Sequence, residues 1–174
     1  MENDSQNPAD TLSSSGATFS PCRTFRYSLW RHWESGEGIV MFVGLNPSTA
    51  DEIENDRTIN RCISFAKSWG YAGLCMTNLF AFRATDPAVM LAAPAPIGPD
   101  NDRYLLEYAA QANLVVAAWG TDGAHLARDR EVRGLLQNLH YLRLTKGGHP
   151  GHPLYLPGKL KPVPWVSDEA DGHR

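Results

Sequence analysis

The chain has 174 residues, 43% of them hydrophobic, and a formal net charge of -3 with histidine neutral. That length and apolar content support one domain with its own core, and the charge argues against nucleic-acid binding by bulk electrostatics while leaving a local basic face open. No segment approaches the ~18 apolar residues of a membrane span, so no membrane partner is expected. The three cysteines, Cys22, Cys62 and Cys75, lack the spacing of a disulfide scaffold and fit reduced thiols in a cytoplasmic protein.

Residues 1–20 are polar and poor in large apolar groups, which reads as a disordered tail; they lack the basic start and apolar stretch of a secretory leader. Residues 21–166 are expected to form a single α/β domain, and 167–174 a polar C-terminal tail. Phe25, Tyr27 and Leu29 alternate with Arg26 and Ser28, the pattern of a half-exposed strand. After the turn Ser35-Gly36-Glu37-Gly38, Ile39 to Val43 is apolar on both faces, as a strand covered by helices on both sides should be.

From Asp56 to Trp69, apolar residues recur at helical spacing, with Asp56 as the N-terminal cap and Gly70 as the stop. Leu74 to Leu79 is the next buried strand. A short helix from Pro87 and a longer one from Pro99 to Ala112 follow. Leu114 to Ala118 is a third buried strand, then helix from Asp122 to Asn138, then a short strand Tyr141 to Leu144. Strands alternating with helices predict a three-layer α/β/α sandwich with a mostly parallel central sheet. Right-handed crossovers would bring the strand-end loops to one side, and with them Asn46, Asn78, Trp119 and His152.

Several residues at those ends are suited to chemistry. Asn46 can orient a water or read a polar edge, and Pro47 stiffens its turn; an Asn that only caps its own turn is the plainer alternative. Gly44 leads into this turn, and the Ser48 and Thr49 hydroxyls offer donors to phosphate, without the glycines and lysine of a Walker loop. Asn78 ends a buried strand and can make a two-point contact to a base edge. Phe80 and Trp119 can stack on a flat ligand, although single aromatics are more often core.

Arg57 and Arg61 share a helix face and can grip phosphate or pair with the acids before them, and Arg83 can anchor phosphate or support its loop. His149 and His152 lie in a Gly/Pro-rich loop that does not give metal-ligand geometry, so no metal or other cofactor is expected. An imidazole at His152 can stabilise a developing anion. The acids Asp51, Glu52, Glu54 and Asp56 can activate water or hold a hard cation, or serve only to favour the helix start.

The stretches GLNPSTAD, DRTINRC, TNLFAFRATDP, GPDN, AAWG and TKGGHPGHPLYL resemble a family of unknown function, DUF1643, across about Phe25 to Trp165. That family in turn resembles the uracil-DNA glycosylase superfamily, which implies a glycosylase-like α/β fold. It also implies hydrolysis of an N-glycosidic bond to a flipped base. In that likeness Gly44-Leu45-Asn46-Pro47 corresponds to the motif acting on the hydrolytic water, Asn78 to the base-reading residue, and His152-Pro153-Leu154 to the motif stabilising the departing base. His149-Pro150 competes for the last role. The expected function is therefore hydrolysis of a nucleobase-containing substrate, whether DNA, RNA or nucleotide. A non-catalytic nucleotide or nucleic-acid binding module is one alternative. A metal-assisted hydrolase using Asp51, Asp56 and a histidine is another.

Overall fold

A computed structural model describes residues 14–166; the remainder of the expected N-terminal tail and the expected tail 167–174 lie outside the described residues. The strands are β1 (Ser14–Phe19), β2 (Arg26–His32), β3 (Ile39–Gly44), β4 (Gly73–Asn78), β5 (Leu114–Ala117), β6 (Leu139–Tyr141) and β7 (Val163–Pro164). The α-helices are α1 (Arg57–Ser68), α2 (Pro87–Ala92), α3 (Asn101–Gln111) and α4 (Arg128–Leu135). The strands form one sheet in the order β1-β2-β4-β3-β5-β6-β7.

This sheet is mixed, not mostly parallel. Strand β3 pairs in parallel with β4 and β5, and β5 with β6, whereas β1–β2, β2–β4 and β6–β7 are antiparallel. The expected mostly parallel, uracil-DNA glycosylase-like sheet is thus corrected. Helical crossovers govern only the four central strands; the flanks join without one and run against them. Strand β1 forms within the expected tail, where Gly16 lies so flat on Trp30 that an added Cβ would sit 2.4 Å from the indole. Close backbone approach, rather than side-chain bulk, lets this weakly apolar segment pair.

The two faces of β3 feed separate cores. Val40 and Phe42 pack with Ile59, Cys62, Phe65 and Ala66 of α1. Met41 and Val43 pack with Met90 of α2, Leu105 of α3 and Val132 of α4. Helix α1 starts on the expected cap, with Asp56 Oδ1 accepting from Ile59 N at 2.9 Å. The expected helix 122–138 is broken instead: residues 121–127 form an irregular 3₁₀ turn with Leu126 and Ala127 at φ 57° and 56°. Buried Arg128 fixes the restart. Its guanidinium donates to the Leu79 carbonyl at 2.8 Å and to Glu131 and Asp102 at 2.6 Å each.

Strand β2 was expected to be half exposed, but Arg26 is 2% exposed and Ser28 0%. Pairing with both β1 and β4 places it inside the sheet, and helix α3 packs nearby through a Ser28 Oγ to Tyr108 hydroxyl bond of 3.1 Å.

Candidate functional site

Helix α1 follows β3 onto one face of the sheet, whereas α2 and α3 follow β4 onto the other. Crevices open at the C-terminal ends of parallel strands where the chain diverges in this way. Here a cleft of about 910 Å³ occupies that position. Asn46, Asn78, Trp119 and His152 all line it, as do Gly44, Pro47, Ser48 and Arg57.

Asn46 has a largely structural amide nitrogen. Its Nδ2 donates to the carbonyls of Ala84 (2.9 Å), Pro47 (3.1 Å) and Phe82 (3.5 Å), tying the loop after β3 to the loop after β4. Its Oδ1 takes no protein hydrogen bond among the described residues, so the side chain presents an acceptor. Asn78 is 2% exposed, and its Nδ2 is buried with no partner. Gly44 permits this placement, since a Cβ there would lie 2.8 Å from Asn78 Oδ1 and 2.9 Å from Met76 Cε. Trp119 is 1% exposed, and its Nε1 is likewise buried and unpartnered.

His152 is held from both sides. The Leu154 amide donates to its Nδ1 at 3.2 Å, which requires that nitrogen to be unprotonated. Burial pushes the imidazole below its ordinary value, with the nearby Asp56 charge opposing. The neutral ring therefore carries its proton on Nε2 and acts as a donor there. Behind it, Arg61 secures the turn by donating from Nε to the Pro153 carbonyl (3.3 Å) and from Nη2 to the Leu156 carbonyl.

Other expected site residues lie elsewhere. Arg61 supports the histidine turn and does not line the cleft. Phe80 is fully buried against His125, with ring centroids 5.6 Å apart. Arg83 reaches away to the Arg23 carbonyl at 3.2 Å and covers the Phe19 ring at 4.7 Å. His149 is outside the lining, its amide bonded to Thr145 Oγ1 at 3.2 Å, which leaves His152 as the cleft histidine.

Within the acidic cluster, Asp51 Oδ1 caps its own turn by accepting from Ile53 (2.9 Å) and Glu54 (2.8 Å). Those amide bonds hold its carboxyl below the usual range. Glu52 pairs with Arg23 at 2.8 Å. Asp56 alone of these acids lines the cleft, and its field acts on both Arg26 and His152. No group of three His, Cys, Asp or Glu able to hold a metal occurs among the described residues.

Arg26 and Asp56 are the cleft groups that strand-end reasoning does not single out. Arg26 sits in a strand whose alternation marks it as solvent-facing, and no local pattern distinguishes it from a surface arginine. Asp56 is legible both as a helix cap and as one of four neighbouring acids, and only the fold sets it apart by bringing it alone of the four to the cleft.

The family description "Protein of unknown function (DUF1643)" matches residues 26–154, most of the chain. The chain belongs to the DUF1643 family. Its matched span opens on Arg26 and closes on Leu154, so it takes in every cleft residue named above. No curated protein and no solved structure matches the chain.

Proposed function

We propose that the cleft binds a nucleobase-bearing substrate and hydrolyses its N-glycosidic bond. One observation carries this reading: the cleft residue Asn78 buries a donor without a partner, and the neutral His152 of the same cleft has a second donor at Nε2. Native proteins rarely leave buried donors unmatched, so such a site is built for a ligand rich in acceptors. Nucleobases carry ring nitrogens and carbonyl oxygens on a planar frame. The motif likeness to uracil-DNA glycosylases rests on Gly44-Leu45-Asn46-Pro47, Asn78 and His152-Pro153-Leu154 and not on the sheet.

In this mechanism the bond between the anomeric carbon and the base nitrogen breaks, and its electron pair leaves on the base. Donors from Asn78 and His152 Nε2 then bind an increasingly negative acceptor, an interaction stronger in the transition state than in the ground state. Water held by Asn46 Oδ1 attacks the anomeric carbon. Asp56, whose Oδ2 has no partner among the described residues, takes the water proton, which passes through solvent to the released base, while His152 Nε2 stabilises the base anion by hydrogen bonding alone.

Chromatographic detection of free base after incubation with nucleosides, nucleotides and single-stranded oligonucleotides tests this reading. Base release abolished by replacing both Asn46 and His152 with alanine is the expected result. Release unchanged in that double variant, or none from any substrate, overturns it; tight binding without release would leave a binding module.

A further inference from the structure

We propose that Arg26 forms an anion subsite in the cleft that receives a phosphate group of the substrate. Three arginines are buried among the described residues: Arg26 at 2% exposure, Arg31 at 0% and Arg128 at 0%. Two of them have a partner at every guanidinium nitrogen. Arg31 donates to Asn55 Oδ1 and to the carbonyls of Gly16, Trp30, Asp51 and Glu54. Arg128 donates to a carbonyl and two carboxylates.

Arg26 is the exception, and of the three it alone lines the cleft. Its guanidinium makes one hydrogen bond, from Nη1 to the Ala50 carbonyl at 3.0 Å, and its Nε is buried with no partner. Nη2 makes no hydrogen bond and no carboxylate pairs with the group among the described residues. Nε and Nη2 are the two donors of one guanidinium edge, the edge that matches two oxygens of a phosphate. Burial lowers its pKa to about 10, with Asp56 favouring the charge and Arg83 and Arg31 opposing it. The group therefore stays cationic at neutral pH.

The surroundings suit a phosphate. The hydroxyl-bearing Ser48 and Thr49 line the same cleft, as does the exposed Arg57 at the start of α1. A cleft of about 910 Å³ also has room beyond a single planar ring. Calling the phosphate carrier a nucleotide rests on the nucleobase reading above; the anion subsite itself rests on Arg26.

Isothermal titration of the full chain with nucleosides, nucleoside 5′-monophosphates, short single-stranded oligonucleotides and inorganic phosphate tests the proposal. Phosphate-bearing ligands are expected to bind at least about tenfold more tightly than nucleosides. Arg26→Gln should reduce that preference below about threefold, and Arg26→Lys, a charge without the fork, should give an intermediate value. Preference for the mononucleotide or for the oligonucleotide identifies the source of the phosphate. Equal affinity of the wild-type chain for nucleoside and nucleotide, or no binding of any ligand, overturns the subsite, and this holds even where Arg26→Gln does not fold. Base release without a phosphate preference refutes the subsite and leaves the hydrolase reading standing. A phosphate preference without base release does the reverse.

Discussion

Gly44 and Asn78 face each other in register across the parallel strands β3 and β4, and the absence of a Cβ on the first makes room for the amide of the second. Gly44→Ala should therefore push Asn78 out of position. Overpacking of this kind destabilises by about 1–3 kcal/mol. We expect a stability loss in that range by urea titration together with a disproportionate loss of ligand affinity. Affinity intact at reduced stability would show that Asn78 does not contact the ligand.

Acid pH should weaken the fold through His152. Burial holds its imidazole below the ordinary value, so the unfolded chain binds this proton more readily than the folded one. Stability is then full above about pH 6.5 and falls as pH drops through the ordinary histidine range towards the lower folded value. His32, also lowered by burial, acts in the same direction. Denaturant midpoints measured between pH 7.5 and pH 5 should decline, and His152→Gln should make the decline shallower. An unchanged slope in the variant would refute the buried neutral imidazole.

Asp56 has two separable roles. Asp56→Asn keeps an oxygen to accept from Ile59, whereas Asp56→Ala removes the cap and should cost about 0.5–2 kcal/mol. Base release is expected to fall by at least about tenfold in both variants if the carboxylate takes the water proton. Thermal unfolding and turnover measured side by side distinguish the roles, and full turnover in Asp56→Asn would reject the proton-acceptor assignment.

The cysteines should differ sharply in reactivity. Cys22 is exposed, and hydrogen bonds involving Thr24 and Ser20 lower its pKa to about 7. Burial raises Cys75 to about 12 and pushes Cys62 still further from its ordinary value. A thiol-specific chromogenic reagent at neutral pH should titrate one fast thiol per native chain, lost in Cys22→Ser. Rapid modification of a second thiol without denaturant would contradict the burial of Cys62 and Cys75.

The central part of the fold was legible because its signals are local. Apolar runs define β3, β4 and β5, and Asp56 and Gly70 bracket α1. The flanks were not legible, since β1 depends on a glycine lying against Trp30 and β7 spans only Val163 and Pro164. Likewise, Asn46, Asn78 and Trp119 lie at strand ends and His152 in the loop beyond β6, and topology alone brings the four together. Arg26 required tertiary knowledge: alternation in β2 predicts an outward side chain, and only cover on both sides of that strand makes it inward. Arg61 shows the opposite error, a cation whose helical face suggested phosphate but whose bonds go to two carbonyls of its own chain.

Helix α1 joins two parts of the cleft in one rigid body, with Asp56 at its cap and Arg61 gripping the turn that carries His152. Each residue of helix advances by about 100°. A single deletion between positions 56 and 61 would thus swing the carboxylate about a quarter-turn away from the imidazole it accompanies. Length variation among family members should accordingly be rare in the first two turns of α1.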